Sequence, residues 1–258
     1  MRLALFVNSW LGWQLTRWLR DQGEEIVALV VHPPERRKFG NEIIAAAGVA
    51  PEAIFDGSRL REPEVLAAIA ACRPEMGASV LFGYILRAEC LKMLPKGCIN
   101  LHPAFLPYNR GANPNVWAIV DGTPAGVTLH WIDEGVDTGD IIAQERVPVD
   151  PLDTGATLYR KLEIASLELF RRLWPQVREG CAPRLPQSRE GGTCHRVRDL
   201  ETIDKIDLDA NYTAGSLINI LRARTFAPYP GAYFVQEGRR IFLRLQLLGE
   251  DQLGEDKE

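Results

Sequence analysis

Residues 2–31 read RLALFVNSWLGWQLTRWLRDQGEEIVALVV, and this stretch decides the fold. It opens on RLALFV (2–7) and closes on IVALVV (26–31), two nearly continuous apolar runs. Such runs predict strands covered on both faces, as in a parallel sheet. Between them Leu11, Leu15, Trp18 and Leu19 recur at helical spacing, so residues 11–20 are predicted as a helix. A strand–helix–strand unit of this length is the building block of a doubly wound α/β domain.

The alternation continues outward. Residues 41–47 and 63–72 have helical patterning, and MGASVLF (76–82) is predicted as a further buried strand. Residues 87–94 form a short helix stopped by Pro95 and Gly97, and CINL (98–101) is another strand. HPAFLPYNRGANP (102–114) carries three prolines and a glycine, a density that predicts a shaped loop without helix or strand. A helix restarts over 115–121. GVTLHWI (126–132) and IIAQERVPV (141–149) are predicted strands flanking the acidic turn DEGVDTGD (133–140). Asp153 or Thr154 caps a long amphipathic helix running to about Arg178.

After Gly180 the chain reads as a linker (181–195), then a helix over 211–224 and a PYPG turn (228–231). AYFV and RIFLRLQLL flank QEGR, a hairpin over 232–248, and a solvated tail follows. The expected architecture is α/β, a doubly wound, mostly parallel sheet with a small C-terminal helix and β-hairpin appendage. Its expected division is 1–180 for the catalytic domain and 181–258 for linker and appendage. One hairpin alone is marginal, so its apolar Tyr233, Phe234, Ile241, Phe242 and Leu243 point to packing on the core or to a homodimer.

Composition excludes several classes. With 46% hydrophobic and 25% charged residues in 258, the chain is ordinary globular protein. No apolar run approaches the ~20 residues of a membrane span, and the N-terminal run is broken at Asn8 and Ser9, so a cytoplasmic location is expected. The net charge of −4 is no nucleic-acid footprint. The five cysteines contain no CxxC; reduced, mostly buried thiols are expected, with neither a disulfide framework nor a metal site. Cys194 and His195 are adjacent, but sequence neighbours tend to point apart, which disfavours a nucleophile–base pair. NSWLGW (8–13) lacks the glycines that bring backbone to a pyrophosphate, which argues against a dinucleotide site.

Two loops carry chemistry. Asn100 and His102 end a buried strand, where open α/β sheets bind ligands, and their spacing puts both on one side. The turn 133–140 supplies Asp133, Glu134, Asp137 and Asp140, with Gly135 and Gly139 for tight bends. A carboxylate there that orients His102 would complete a donor, an acid/base and an orienter, parts suited to acyl transfer between amines. Each group also has a plainer role: an Asn at a strand end caps a turn, a His before Pro holds backbone, and four acids make a solvated face. On spacing alone both readings stand.

Asn100-Leu101-His102-Pro103, followed by Phe105-Leu106-Pro107 and Arg110-Gly111, resembles the NxHxSLLPxxxG signature of the 10-formyltetrahydrofolate-dependent formyltransferases. Asp133-x-Gly135-x-Asp137-Thr138-Gly139-Asp140 resembles their second motif, DxGxDTGD. Together the motifs cover roughly residues 75–150. The resemblance implies a Rossmann-like formyltransferase core with a catalytic set of Asn100, His102 and Asp137. One departure is Ala104, where the signature has Ser. The resemblance also implies that 10-formyltetrahydrofolate is the formyl donor, held by Phe82, Gly83, Tyr84, Ile85 and Leu86 with Ile132, Asp133, Gly135 and Asp137.

Among family members the chain looks most like the N-formyltransferases of nucleotide-linked amino sugars. It shares with them the long first loop PYNRGANPNVW (107–117) and a TFAPYPGAYF segment (225–234). This implies a small-molecule sugar-nucleotide acceptor, with lipopolysaccharide O-antigen synthesis as the usual setting. Tyr108, Asn109, Arg110, Asn113 and Trp117 are the acceptor-binding candidates; the asparagines otherwise cap turns and Trp117 otherwise packs in a core. The alternatives are a methionyl-tRNA formyltransferase-like enzyme with a reduced C-terminal domain, or a non-catalytic folate-binding homologue.

Overall fold

The structure is a computed structural model that describes residues 1–188 and 190–254. In chain order the elements begin β1 (Arg2–Val7), α1 (Ser9–Asp21), β2 (Glu25–Val31), α2 (Gly40–Ala47), β3 (Ile54–Asp56) and α3 (Pro63–Ala71). There follow β4 (Met76–Val80), α4 (Ala88–Lys92), β5 (Cys98–His102), β6 (Arg110–Gly111), α5 (Pro114–Val120), β7 (Gly126–Trp131), β8 (Ile141–Arg146) and α6 (Gly155–Glu179). The last are β9 (Cys194–His195), α7 (Glu201–Asp204), α8 (Ala214–Arg224), β10 (Tyr233–Gln236) and β11 (Arg239–Phe242).

Seven strands form one sheet in the order β3-β2-β1-β4-β5-β7-β8. The pairs β2–β3, β1–β2, β1–β4 and β4–β5 are parallel, and β5–β7 is antiparallel. The sheet is therefore doubly wound and mostly parallel, as the apolar runs predict. The order reverses between β1 and β4, which puts the ligand crevice beyond the carboxyl ends of these strands. Phe6 and Val30 anchor one face with Ile69, Leu86, Cys90 and Leu94. Burying a side chain such as Phe6 contributes about 1.5–3 kcal/mol.

Several local expectations are corrected. The strand predicted over 76–82 ends at Val80, because Leu81 turns to φ +50°. The strand predicted over 141–149 ends at Arg146. β3 was not foreseen: its three half-buried residues make too short a pattern to read. The loop 102–114 does contain a strand, the two-residue β6, which pairs in parallel with β9 inside the predicted linker. The hairpin is shorter than 232–248: β10 and β11 meet at Glu237-Gly238, both at positive φ, a tight turn that ends pairing at Phe242. Thr154 caps α6 by accepting from the Thr157 amide at 3.3 Å. The thiols are all free, but Cys90 and Cys98 alone are buried, while Cys181 and Cys194 are exposed. Burial pushes the Cys90 thiol up to about 12. His195 stacks on Trp117 with ring centroids 4.1 Å apart.

The described residues form two compact units. The first takes Met1–His102, Val127–Glu145 and residues 165–188; the second takes Pro103–Gly126, Arg146–Ile164 and the residues from 190 on. In the second, α5 packs against α8, and the Asn115 side-chain amide donates to the Gly155 carbonyl at 2.9 Å, which gathers the middle segments with the C-terminal ones. Among the described residues no helix is long and apolar enough to cross a membrane.

Candidate active site

The site is built in the first unit on the antiparallel pair β5–β7. Asn100 and His102 are two residues apart on β5, so they share a face. The register places His130 of β7 directly opposite Asn100 and Thr128 opposite His102. Beyond β7 the turn 133–140 returns over the strand ends and delivers Asp137 to both β5 side chains. The Asn100 amide nitrogen donates to Asp137 Oδ1 at 3.2 Å. His102 Nδ1 lies 3.7 Å from Asp137 Oδ2. The sequence-predicted set Asn100, His102 and Asp137 thus converges on one carboxylate. His102 is 5% exposed, so charge within the cluster is little screened by water.

The turn's geometry comes from its own residues. Asp133 Oδ1 accepts from the Gly135 amide at 3.0 Å and from Thr138 Oγ1 at 2.7 Å, which closes the first half. Asp133 therefore serves as the turn's anchor. Gly139 passes so close to β7 that a Cβ there would lie 1.9 Å from the Trp131 carbonyl oxygen. Asp137 itself is held at φ +52°.

Three contributors escaped the sequence reading. His130 emerges only once β5 and β7 are paired in register; its Nε2 lies 3.1 Å from the Asn100 amide nitrogen. Gln187 comes from the predicted linker. Its side-chain amide donates to the Asp137 carbonyl at 2.9 Å and to the Gly139 carbonyl at 2.7 Å. The same segment pairs Leu185 with Ile141, and Pro183 accepts from the Trp131 indole at 3.1 Å. His32, at the end of β2, is the third. Its Nε2 accepts from the Gly83 amide at 3.0 Å. Burial, and then the nearby Arg36, push the His32 pKa below its ordinary value, which favours the neutral ring that can accept.

Gly83 lies in the segment 81–87 beyond the carboxyl end of β4. His32 packs edge-on against Phe82 and Tyr84, with centroids 5.4 and 5.1 Å apart. Leu86 is buried, whereas Ile85 is 66% exposed. Ile132 follows β7, and its amide donates to the Cys98 carbonyl at 2.8 Å. Of the acceptor candidates, all in the second unit, Asn109 is buried: its amide nitrogen donates to Thr123 Oγ1 and its oxygen accepts from Thr193 Oγ1. It holds the loop. Trp117 is buried against His195. Tyr108, Arg110 and Asn113 are half-buried on the loop, and Asn113 takes the N-cap of α5 in the left-handed region.

Residues 1–172 match the formyl transferase family, and residues 199–249 match the N-formyltransferase dimerization C-terminal domain. The chain is 36% identical over 225 residues to a methionyl-tRNA formyltransferase of Symbiobacterium thermophilum, covering 84% of this chain and 67% of that one. It superposes on a 4-N formyltransferase from Francisella tularensis with TM-score 0.79 and 25% identity, covering 96% of this chain and 98% of the other. It is also similar to the formyltransferase PseJ from Anoxybacillus kamchatkensis, solved with UDP-4,6-dideoxy-4-formamido-L-AltNAc and tetrahydrofolate. There the TM-score is 0.57 and the identity 27%, over 78% of this chain and 88% of that one. With its N-terminal two thirds matched, and with the Asn100, His102 and Asp137 side chains converging as its motifs imply, the chain belongs to the formyl transferase family.

Proposed function

We propose that this formyltransferase moves the formyl group of 10-formyltetrahydrofolate to the primary amine of a nucleotide-linked amino sugar. The observation that carries the acceptor is the C-terminal segment: residues 199–249 match the N-formyltransferase dimerization domain and fold as helix and hairpin. The match along nearly the whole length of the 4-N formyltransferase supports the same reading. Residues 1–180 then carry the chemistry and 181–258 the appendage. Val235, Ile241 and Phe242 stay exposed on the hairpin, which suits a homodimer interface there.

The residues fit the donor. Segment 82–86 lies in the crevice with an exposed Ile85 and half-buried Phe82 and Tyr84, an apolar wall for a flat heterocycle, and Ile132 adds to it. When bound, the donor supplies an activated formyl carbon. Asn100 and His102 donate hydrogen bonds to the formyl oxygen as the acceptor amine attacks and negative charge builds there. Asp137 holds both donors and takes up the proton that the amine must lose. The new bond joins the amine nitrogen to the formyl carbon, the bond from that carbon to N10 breaks, and N10 takes a proton in exchange. Tyr108, Arg110 and Asn113 are the residues proposed to bind the acceptor, with Arg110 suited to a phosphate.

Equilibrium binding tests the acceptor class without turnover. The protein is expected to bind a thymidine or uridine diphosphate-linked 4-amino sugar with micromolar affinity and to leave initiator tRNA unbound at the same protein concentration. Binding of tRNA alone would assign the chain to the alternative acceptor.

A further inference from the structure

His130 is 2% exposed and faces Asn100 across the β5–β7 pair. Its Nδ1 lies 2.8 Å from the Trp131 carbonyl oxygen. A carbonyl only accepts, so Nδ1 carries a proton, and with that single proton on the ring Nε2 acts as an acceptor. Asn100 Nδ2 lies 3.1 Å from that Nε2 and 3.2 Å from Asp137 Oδ1. Two acceptors therefore claim the two hydrogens of one amide nitrogen. A flipped carboxamide would aim its oxygen at a ring lone pair and a carboxylate together.

The two acceptors are not equivalent. Asp137 sits on a turn at positive φ and also faces His102 Nδ1 at 3.7 Å. His130 sits in the middle of a sheet with its tautomer fixed by its own chain. It is the rigid half of the clamp.

We propose that His130 is a positioning residue for formyl transfer: its Nε2 lone pair holds one hydrogen of the Asn100 carboxamide and so fixes its orientation, leaving the other, which points at Asp137 Oδ1, to turn to the formyl oxygen when the donor binds. The inference rests on Asn100 as a donor to the formyl oxygen. It does not depend on which amine is formylated. A residue that merely filled the core would be replaceable by any side chain of similar volume.

The test is steady-state formyl transfer by His130→Phe and His130→Gln, alone and combined with Asn100→Ala, using whichever amine acceptor the wild type turns over. His130→Phe keeps a ring and removes the acceptor. Its kcat is expected to fall about 10- to 100-fold, with KM for donor and acceptor within about threefold of wild type. His130→Gln keeps an acceptor oxygen and is expected to recover most of kcat. In the Asn100→Ala background His130→Phe is expected to have no further effect, since its action runs through that side chain. Should His130→Phe lose its cooperative melting transition, His130→Met takes its place in the cycle. A kcat within about threefold of wild type for the acceptor-free variant, or an equal loss with and without Asn100, would overturn the proposal. Failure of the amino-sugar reading shows separately, as turnover with a different amine.

Discussion

Asp137→Ala is expected to lower kcat for formyl transfer by about 10³-fold, with thermal stability close to wild type. Its carboxylate accepts from Asn100 at 3.2 Å and lies 3.7 Å from His102 and 3.6 Å from His130. Losing one donor to a developing oxyanion typically costs about 2.7–4 kcal/mol of barrier. Asp137 aligns two such donors and takes up a proton, so its removal falls at the upper end of that range. Asp137→Asn is expected to be nearly as damaging, because an amide cannot accept at both of its ends. Stability is spared because the turn is closed by Asp133, Gln187 and Gly139 rather than by this side chain. Single-turnover rates with saturating donor measure the effect. A rate within tenfold of wild type would remove Asp137 from the chemistry.

Gly139→Ala is expected to be the most damaging single methyl added to the chain. Its Cβ would lie 1.9 Å from the Trp131 carbonyl oxygen and 2.8 Å from the carbonyl carbon, and backbone in a seven-stranded sheet does not yield. The loss of stability is expected to exceed about 3 kcal/mol, with activity falling alongside because Asp137 rides on the same turn. Gly135→Ala is the control. Its Cβ would meet Thr138 Oγ1 at 1.9 Å, but a side chain can rotate away, so a milder loss is expected. Urea midpoints of the two variants and wild type give the comparison. A wild-type midpoint for Gly139→Ala would mean that the turn is not packed as described.

The parts legible in the sequence and the parts hidden differ for physical reasons. The strands β1, β2, β4 and β5 were legible because burial on both faces forces continuous apolar runs. The cluster of Asn100, His102 and Asp137 was legible as two short motifs at strand ends. His130 was hidden because its meaning lies in a register between two strands, and local periodicity carries no register. Gln187 was hidden because a side chain in a proline-rich linker gives no sign of bracing backbone carbonyls in a turn 50 residues earlier. His32 was hidden because its work is to accept from one loop amide, and only the sheet order brings the ends of β2 and β4 to the same crevice. Asn109 shows the reverse: a polar residue in a candidate binding loop spends its side chain holding that loop.

The Asn100–His102–Asp137 cluster is proposed to formylate the amine of a nucleotide-linked sugar. The most direct test is incubation of the protein with 10-formyltetrahydrofolate and a panel of nucleotide-linked 3- and 4-amino sugars, alongside methionyl initiator tRNA and glycinamide ribonucleotide, with products read by mass spectrometry. One amino sugar is expected to gain a formyl group, with tetrahydrofolate appearing in equal amount. Formylation of the tRNA or of glycinamide ribonucleotide, with every amino sugar unchanged, would contradict it.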